Sequence, residues 1–382
     1  MIINILGGGP AGLYFAILMK QSNPKRNIRV WERNPRDNTF GWGVVFSERT
    51  ISALQEPDPV TYQRMMDHVR TWENVDIVHR DTLISVGGNR FSGIARIELL
   101  QILQERCQEL GVELHYECEI VDPSPLRQAD LVVGADGVAS RLRQRYRNLF
   151  RPQLTLGRNR YIWYGTRQPF GGLTLIFRPD GDNLFMAHAY KYNEQLSTFI
   201  VEVDEETWQR IRRRGEDKAR EHLSQVFAKD LGGHPLLSNR SRWIRFTHVK
   251  NQHWWAQNMV LLGDALHTAH FSIGSGTKLA LEDAAALWRA FQEHPQPGQA
   301  LAAFEATRRP VVERLQNAAQ ISQRWFEQAR QHLDLEVIPF AYEAMTRSER
   351  IDSQELKRRD PGFAAAYEDW AERNKARLTL PK

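Results

Sequence analysis

The segment Gly7-Gly8-Gly9-Pro10-Ala11-Gly12 has the residue types and the spacing to hold a phosphate. A short apolar run, residues 2–6, leads into it, and residues 13–19 beyond it are apolar on every side. That order predicts strand, tight turn and buried helix. Gly7, Gly9 and Gly12 let the chain turn sharply and let backbone approach a pyrophosphate, to which Pro10 and Ala11 open a helix whose first N–H groups lack acceptors. A second apolar run, residues 28–31, ends in Glu32, about 20 residues past the last glycine, where a carboxylate holds the ribose hydroxyls of an adenosine. Arg33 beside it is counted with the nucleotide-binding residues. A turn that binds nothing is the alternative for any one of these features; strand, helix, second strand and acid in register favour a dinucleotide.

A second phosphate-site signal stands far downstream. Leu262-Gly263-Asp264-Ala265-Leu266-His267 follows a buried strand run, and Gly274-Ser275-Gly276-Thr277 then opens a helix running to about Phe291. Between the two lie Asp136-Gly137, after the strand run 131–133, and Arg96, at the head of a helical repeat that stops at Gly111. A cation at a helix start opposes the dipole, which a nearby anion would explain. Phe40-Gly41-Trp42-Gly43-Val44-Val45-Phe46-Ser47 reads as a loop pressed against something flat or, equally, as an ordinary apolar loop, and Gly43 and Val44 are counted with the cofactor-binding residues. For His267, a structural hydrogen bond within its own turn is expected.

The elements that must position these residues fall into blocks. Residues 112–120 alternate as a strand with one wet face, and 161–203 are rich in short aromatic and branched runs, which predicts an antiparallel sheet. On its third strand a period of two sets Leu184, Met186, His188, Tyr190 and Tyr192 on one face, the floor of an aromatic pocket or an ordinary core. Residues 300–330 are helical with an interruption expected at Pro310, and no chemistry is legible in the tail beyond. The fold class expected is α/β: a Rossmann-like domain with a parallel sheet (1–155 and 251–298), an interleaved antiparallel β domain (156–250) and a helical C-terminal region (299–382).

At 382 residues, 42% hydrophobic, the chain suffices for a large core. No apolar run is long enough to span a bilayer, and residues 1–19 lack the basic start of a signal peptide. Cys107 and Cys118 lie in no metal-ligand or redox spacing, so no metal is expected and the cytoplasm is the default compartment. A net charge of +5 favours an anionic ligand. Arg212-Arg213-Arg214 and Lys357-Arg358-Arg359 are flanked by acids, as solvated helix faces are, which argues against nucleic acid.

In this order the three fingerprints resemble the class A flavoprotein monooxygenases, aromatic hydroxylases of the para-hydroxybenzoate hydroxylase type. Within that family the loop 41–47, the run 269–278 and the tail 346–351 are similar to aryl-CoA hydroxylases acting on salicylyl- or aminobenzoyl-CoA. The middle, 157–166 and 187–192, is equally similar to the violacein-pathway indole hydroxylase, so the substrate stays open between the two. The resemblance implies bound FAD, NAD(P)H as transient electron donor, and dioxygen delivered from a flavin hydroperoxide to a small aromatic substrate. It further implies that Glu32 binds ribose, Arg96 the pyrophosphate region, Asp264 the ribityl or phosphate region, and Gly274 to Thr277 the flavin's pyrimidine edge. His188, Tyr190 and His270 are the candidates for a substrate-activating base. Most members carry proline where His270 and Phe271 stand, and this departure supports a third reading, a flavin-binding sensor without turnover. Arg158, Arg160, Arg212 and Arg214 are candidates for CoA phosphates, with a solvated surface the stronger alternative.

Overall fold

A computed structural model describes residues 1–39, 41–47 and 51–375. Strand Ile2–Leu6 lies inside a six-stranded sheet in the order Trp255–Ala256, Met259–Leu261, Leu131–Gly134, Ile2–Leu6, Asn27–Trp31, Glu113–His115. Every neighbouring pair is parallel except the first. The chain leaves the central strand to one side, at Asn27–Trp31, and returns on the other, at Leu131–Gly134, so a crevice opens at the carboxyl ends of these strands. Helix Pro10–Ser22 is buried from Pro10 to Met19 because it is sandwiched between the sheet and helices Arg96–Glu109 and Gly276–Glu293.

The second sheet runs Leu236–Leu237, Pro152–Thr166, Ser197–Val203, Asn183–Lys191, Leu173–Asp180, Val75–His79, Thr82–Val86, and Ile244–Asn251 also pairs with Pro152–Thr166. Its last two strands come from within residues 1–155, and Val75–His79 joins in parallel. A small third sheet pairs Gly43–Ser47 and Arg70–Trp72 with Phe91–Ala95. Helices Val337–Thr346, Ser353–Arg359 and Pro361–Arg373 close the molecule, with Phe340, Ala344 and Met345 packed on Phe177, Met186 and Phe326. No helix among the described residues is long and apolar enough to cross a membrane.

Three local expectations are corrected. The strand expected through residue 120 stops at His115: Glu117 takes a left-handed φ of 54°, and the Cys118 N–H bonds the Glu32 carbonyl, curling the chain around the end of its neighbour. Helix Pro297–Glu327 continues through Pro310. The loss there, about 3 kcal/mol in an isolated helix, is offset by anchors on the preceding turn: Arg308 to Asp283 and Glu282, Arg309 to the Gln252 carbonyl and Glu305. The expected loop at 40–47 is a strand from Gly43 onward, and Phe40 lies outside the described residues. Its flat neighbours are rings, since a Cβ on Gly41 would sit 2.9 Å from Trp163 and one on Gly43 2.5 Å from Tyr192.

A Cβ on Gly7, whose φ is +102°, would stand 2.2 Å from the Ala135 carbonyl oxygen. Gly7→Ala is therefore expected to destabilise the protein by on the order of 3 kcal/mol. Urea unfolding checks this, and an unchanged midpoint would contradict so close an approach.

Candidate active site

Three turns distant in sequence meet over the crevice. Gly7 touches the Ala135 carbonyl, the Leu262 N–H donates to the Gly134 carbonyl at 2.9 Å, and a Cβ on Gly263 would lie 3.1 Å from the Ala11 side chain. In front of helix Pro10–Ser22 the space is open, for a Cβ on Gly9 would meet nothing within 4 Å. The N–H groups of Ala11 and Gly12, in the first turn, have no acceptor within the helix. Glu32 stands beside the turn and accepts the Gly8 N–H at 2.8 Å and the Asn34 N–H at 2.8 Å. Arg33 is exposed and lines no part of the main cavity. Asp136 Oδ2 caps the next helix through the Arg141 N–H at 2.6 Å, while its Oδ1 is buried with no hydrogen-bond partner among the described residues. Burial pushes the pKa of that carboxyl up.

Below the crevice lies a cavity of about 1080 Å³. Ligand pockets ordinarily hold about 300–1,000 Å³, so this one has room for one end of a cofactor and a substrate together. One wall consists of Gly43, Val44, Arg96, Asp264 and Gly274 to Thr277. The Asp264 side chain reaches into the cavity; burial raises its pKa and Arg96 opposes the rise. Arg96 in turn is lowered by burial, with Asp264 acting the other way. Gly274, at φ +61°, turns the chain so that helix Gly276–Glu293 presents its first N–H groups and positive dipole end to the cavity.

The opposite wall is the second sheet. His188 and Glu202 occupy diagonal positions on adjacent strands, with Nε2 and Oε2 3.0 Å apart, and Asn159 Nδ2 donates to the other Glu202 oxygen at 2.8 Å. His188 lines the cavity and Glu202 stands behind it. With Nε2 engaged, Nδ1 is the ring atom left for a ligand. Tyr190 also lines the cavity, but its hydroxyl donates to the Gly43 carbonyl at 2.8 Å and burial raises its pKa, so it ties the Gly43 strand to the sheet. His270 does not line the cavity. Its Nδ1 meets Ser272 Oγ at 2.9 Å, its ring packs on Phe246 and Phe271, and burial holds its pKa well below the ordinary value, which keeps it neutral.

Sequence reasoning missed Glu202, Asn159 and Arg347. A lone acid in the run Ile200-Val201-Glu202-Val203 was the available signal, since a buried carboxylate requires a partner. Arg347, from the tail with no legible chemistry, lines the cavity and bonds Ser322 Oγ at 3.1 Å and the Ser272 carbonyl at 2.9 Å. It fastens the segment 270–274 to the C-terminal helices, and burial pushes its pKa down to about 10. His267 makes the bond expected within its turn through its backbone N–H, which donates to the Gly263 carbonyl at 2.9 Å, and its side chain pairs with Asp283 at 2.8 Å, across to helix Gly276–Glu293. Of the four arginines expected as candidates for CoA, Arg160 lines the cavity, its guanidinium over Trp208; Arg158, Arg212 and Arg214 do not line it. Arg359, expected on a solvated face, bonds Asn89 at 2.9 Å and lines the cavity.

Residues 126–319 match the FAD binding domain family model. Along 97% of this chain and 74% of the relative, the sequence is 38% identical to a salicyloyl-CoA 5-hydroxylase of Streptomyces sp.. The chain belongs to the FAD-dependent aromatic monooxygenases. It is also 36% identical to a 3-hydroxy-4-methyl-anthranilyl-[aryl-carrier protein] 5-monooxygenase of Streptosporangium sibiricum, over 85% of this chain and 89% of that one. To the protodeoxyviolaceinate monooxygenase of Chromobacterium violaceum it is 36% identical, over 89% and 92%. Among solved structures, 2-methyl-3-hydroxypyridine-5-carboxylic acid oxygenase superposes with a TM-score of 0.72 at 19% identity, covering 94% of this chain and 97% of that one, and shares the fold. The residues present fit FAD: open space at Gly9, an orphaned acceptor on Asp136, and two helix starts with unpaired N–H groups face the crevice and its cavity.

Two outcomes are expected. Gly9→Ala, whose methyl would intrude only on a bound pyrophosphate, weakens FAD binding by about 1–3 kcal/mol and leaves the unfolding of FAD-free protein nearly unchanged; equilibrium flavin fluorescence and urea melts measure both. For Asp283, burial raises the carboxyl pKa, but His267 and Arg308 outweigh it and hold the group below 3.8. Its stabilising contribution is thus complete above that value and lost as pH falls through the lower folded one. The stability gap between wild type and Asp283→Asn, about 3–5 kcal/mol at pH 7, should narrow only below about pH 4; narrowing between pH 7 and 5 would contradict the pairing.

Proposed function

We propose that this monooxygenase hydroxylates an electron-rich aromatic ring carried as a thioester, a salicylyl- or aminobenzoyl-type group, and that His188 manages the proton of the ring substituent. The observation that carries the reading is that His188, backed by Glu202, faces the same cavity as the helix start at Gly276. When bound, FAD supplies the redox chemistry, taking electrons from NAD(P)H and passing one atom of dioxygen to the ring. The rest falls to the chain. N–H groups at Gly276 and Thr277 stabilise negative charge at the cofactor's edge. Electrophilic attack needs electron density on the ring, which rises when a phenol or amine gives up, or shares, its proton. His188 Nδ1 accepts that proton, Glu202 stabilises the imidazolium, and Asn159 holds Glu202 in register. Tyr161, Phe91 and Phe271 form aromatic walls that orient a ring and keep water out.

Two relatives named for aryl thioesters support that substrate class. An indole substrate is the second reading, favoured by Trp163 and Phe246 in the lining, which suit a larger ring system, and by the violacein-pathway relative. Product analysis with both substrate types separates them: hydroxylated aryl thioester carries the first, hydroxylated indole the second. His188→Gln is expected to retain FAD and its spectrum and to lower kcat by about 10²–10⁴-fold, with NAD(P)H oxidation uncoupled from product. An unaltered product yield per NAD(P)H would remove His188 from the proton pathway.

A further inference from the structure

The mouth of the cavity carries more positive charge than the aromatic chemistry within it requires. Arg90, Arg350 and Arg359 all line it. Arg359 is held by Glu355 at 2.8 Å and Arg90 meets Glu73 at 3.1 Å. Arg350 differs: it is exposed at the mouth, among the described residues its guanidinium has neither a carboxylate partner nor a hydrogen-bond acceptor, and neighbouring Arg359 works against its charge. Two adjacent cations, one of them unpaired, are favourable where an anion lies between them. Arg350 also ends a second depression, of about 240 Å³, whose apolar floor includes Leu279 and Leu315 and whose rim includes Arg314. A cationic doorway therefore joins the interior to an apolar shelf.

We infer that Arg350, with Arg359 and Arg90, binds the phosphates of a CoA thioester, and that the shelf between Leu279 and Leu315 seats its adenine. This rests on the thioester reading above. The aryl group occupies the inner end beside His188, the uncharged pantetheine arm threads the cavity, and the phosphates stop where the cations are. A flat base then lies on aliphatic side chains, with Arg314 at its edge. NAD(P)H carries the same adenine diphosphate chemistry, so the test must tell the two apart.

The test titrates CoA itself into FAD-loaded wild type, Arg350→Ala and Arg350→Lys, and compares KM for aryl-CoA, for the same aryl group on pantetheine, and for NAD(P)H. Loss of a charged hydrogen bond is expected to weaken CoA binding about tenfold or more in Arg350→Ala. The KM for aryl-CoA rises by the same factor relative to that for aryl-pantetheine, Arg350→Lys recovers part of the loss, and Arg314→Ala acts in the same direction. Equal effects on both thioesters, an effect on NAD(P)H alone, or a wild type that does not bind CoA would overturn the site. A wild type that binds CoA through Arg350 and hydroxylates no aryl thioester would sink the substrate reading and leave the site standing. Hydroxylation of aryl thioesters indifferent to Arg350 would do the reverse.

Discussion

Backbone must touch backbone where the three turns converge, and this contact constrains everything built around it. Gly7 lies against the Ala135 carbonyl and the Leu262 N–H bonds the Gly134 carbonyl, while Gly263 packs on the Ala11 side chain. Any side chain at Gly7 would push the central strand away from Leu131–Gly134 and close the crevice from within. Because the Gly263 turn is fixed there, the segment that follows it has little choice of course. Asp264 enters the cavity, the 270–274 loop runs along its wall, and helix Gly276–Glu293 starts with its N–H groups facing inward.

Charge is distributed in the same spirit. Several buried ions have a counterpart: Asp283 has His267 and Arg308, and Glu202 has His188 and Asn159, while on the cavity wall Asp264 and Arg96 act on each other. Breaking one such pair leaves an uncompensated charge in protein, which costs far more than losing an exposed pair. The Arg347 bonds to Ser322 and to the Ser272 carbonyl tie the cofactor-side loop to the C-terminal helices.

What the sequence made legible was whatever depends on local backbone demands. Gly7 and Gly12 are glycines because a Cβ would run into backbone, and Gly263 because its left-handed turn strains any side chain, so their pattern reads directly, as does the all-apolar helix after them. The alternation that set His188 and Tyr190 on one face also survives in the structure, because the period of a strand is fixed by its pleat. Glu202 and Arg347 were opaque for the opposite reason: each gains its role from partners between 14 and 75 residues away, and no spacing announces it. Pro310 and the end of the strand at His115 misled for the same cause, since tertiary anchors overrode a local preference. Strands Val75–His79 and Thr82–Val86 show the limit for domains, as they serve a sheet that most of their neighbours in sequence do not join.

The central claim is that the distant turns grip a single FAD whose reactive ring faces His188 across one cavity. A crystal structure of the FAD-loaded protein tests it most directly. The account predicts the pyrophosphate at the Ala11 and Gly12 N–H groups, the ring system beside Gly274 to Thr277, and open volume between that ring and His188. Cofactor density in a different cleft, or a ring sealed off from His188 by protein, would contradict it.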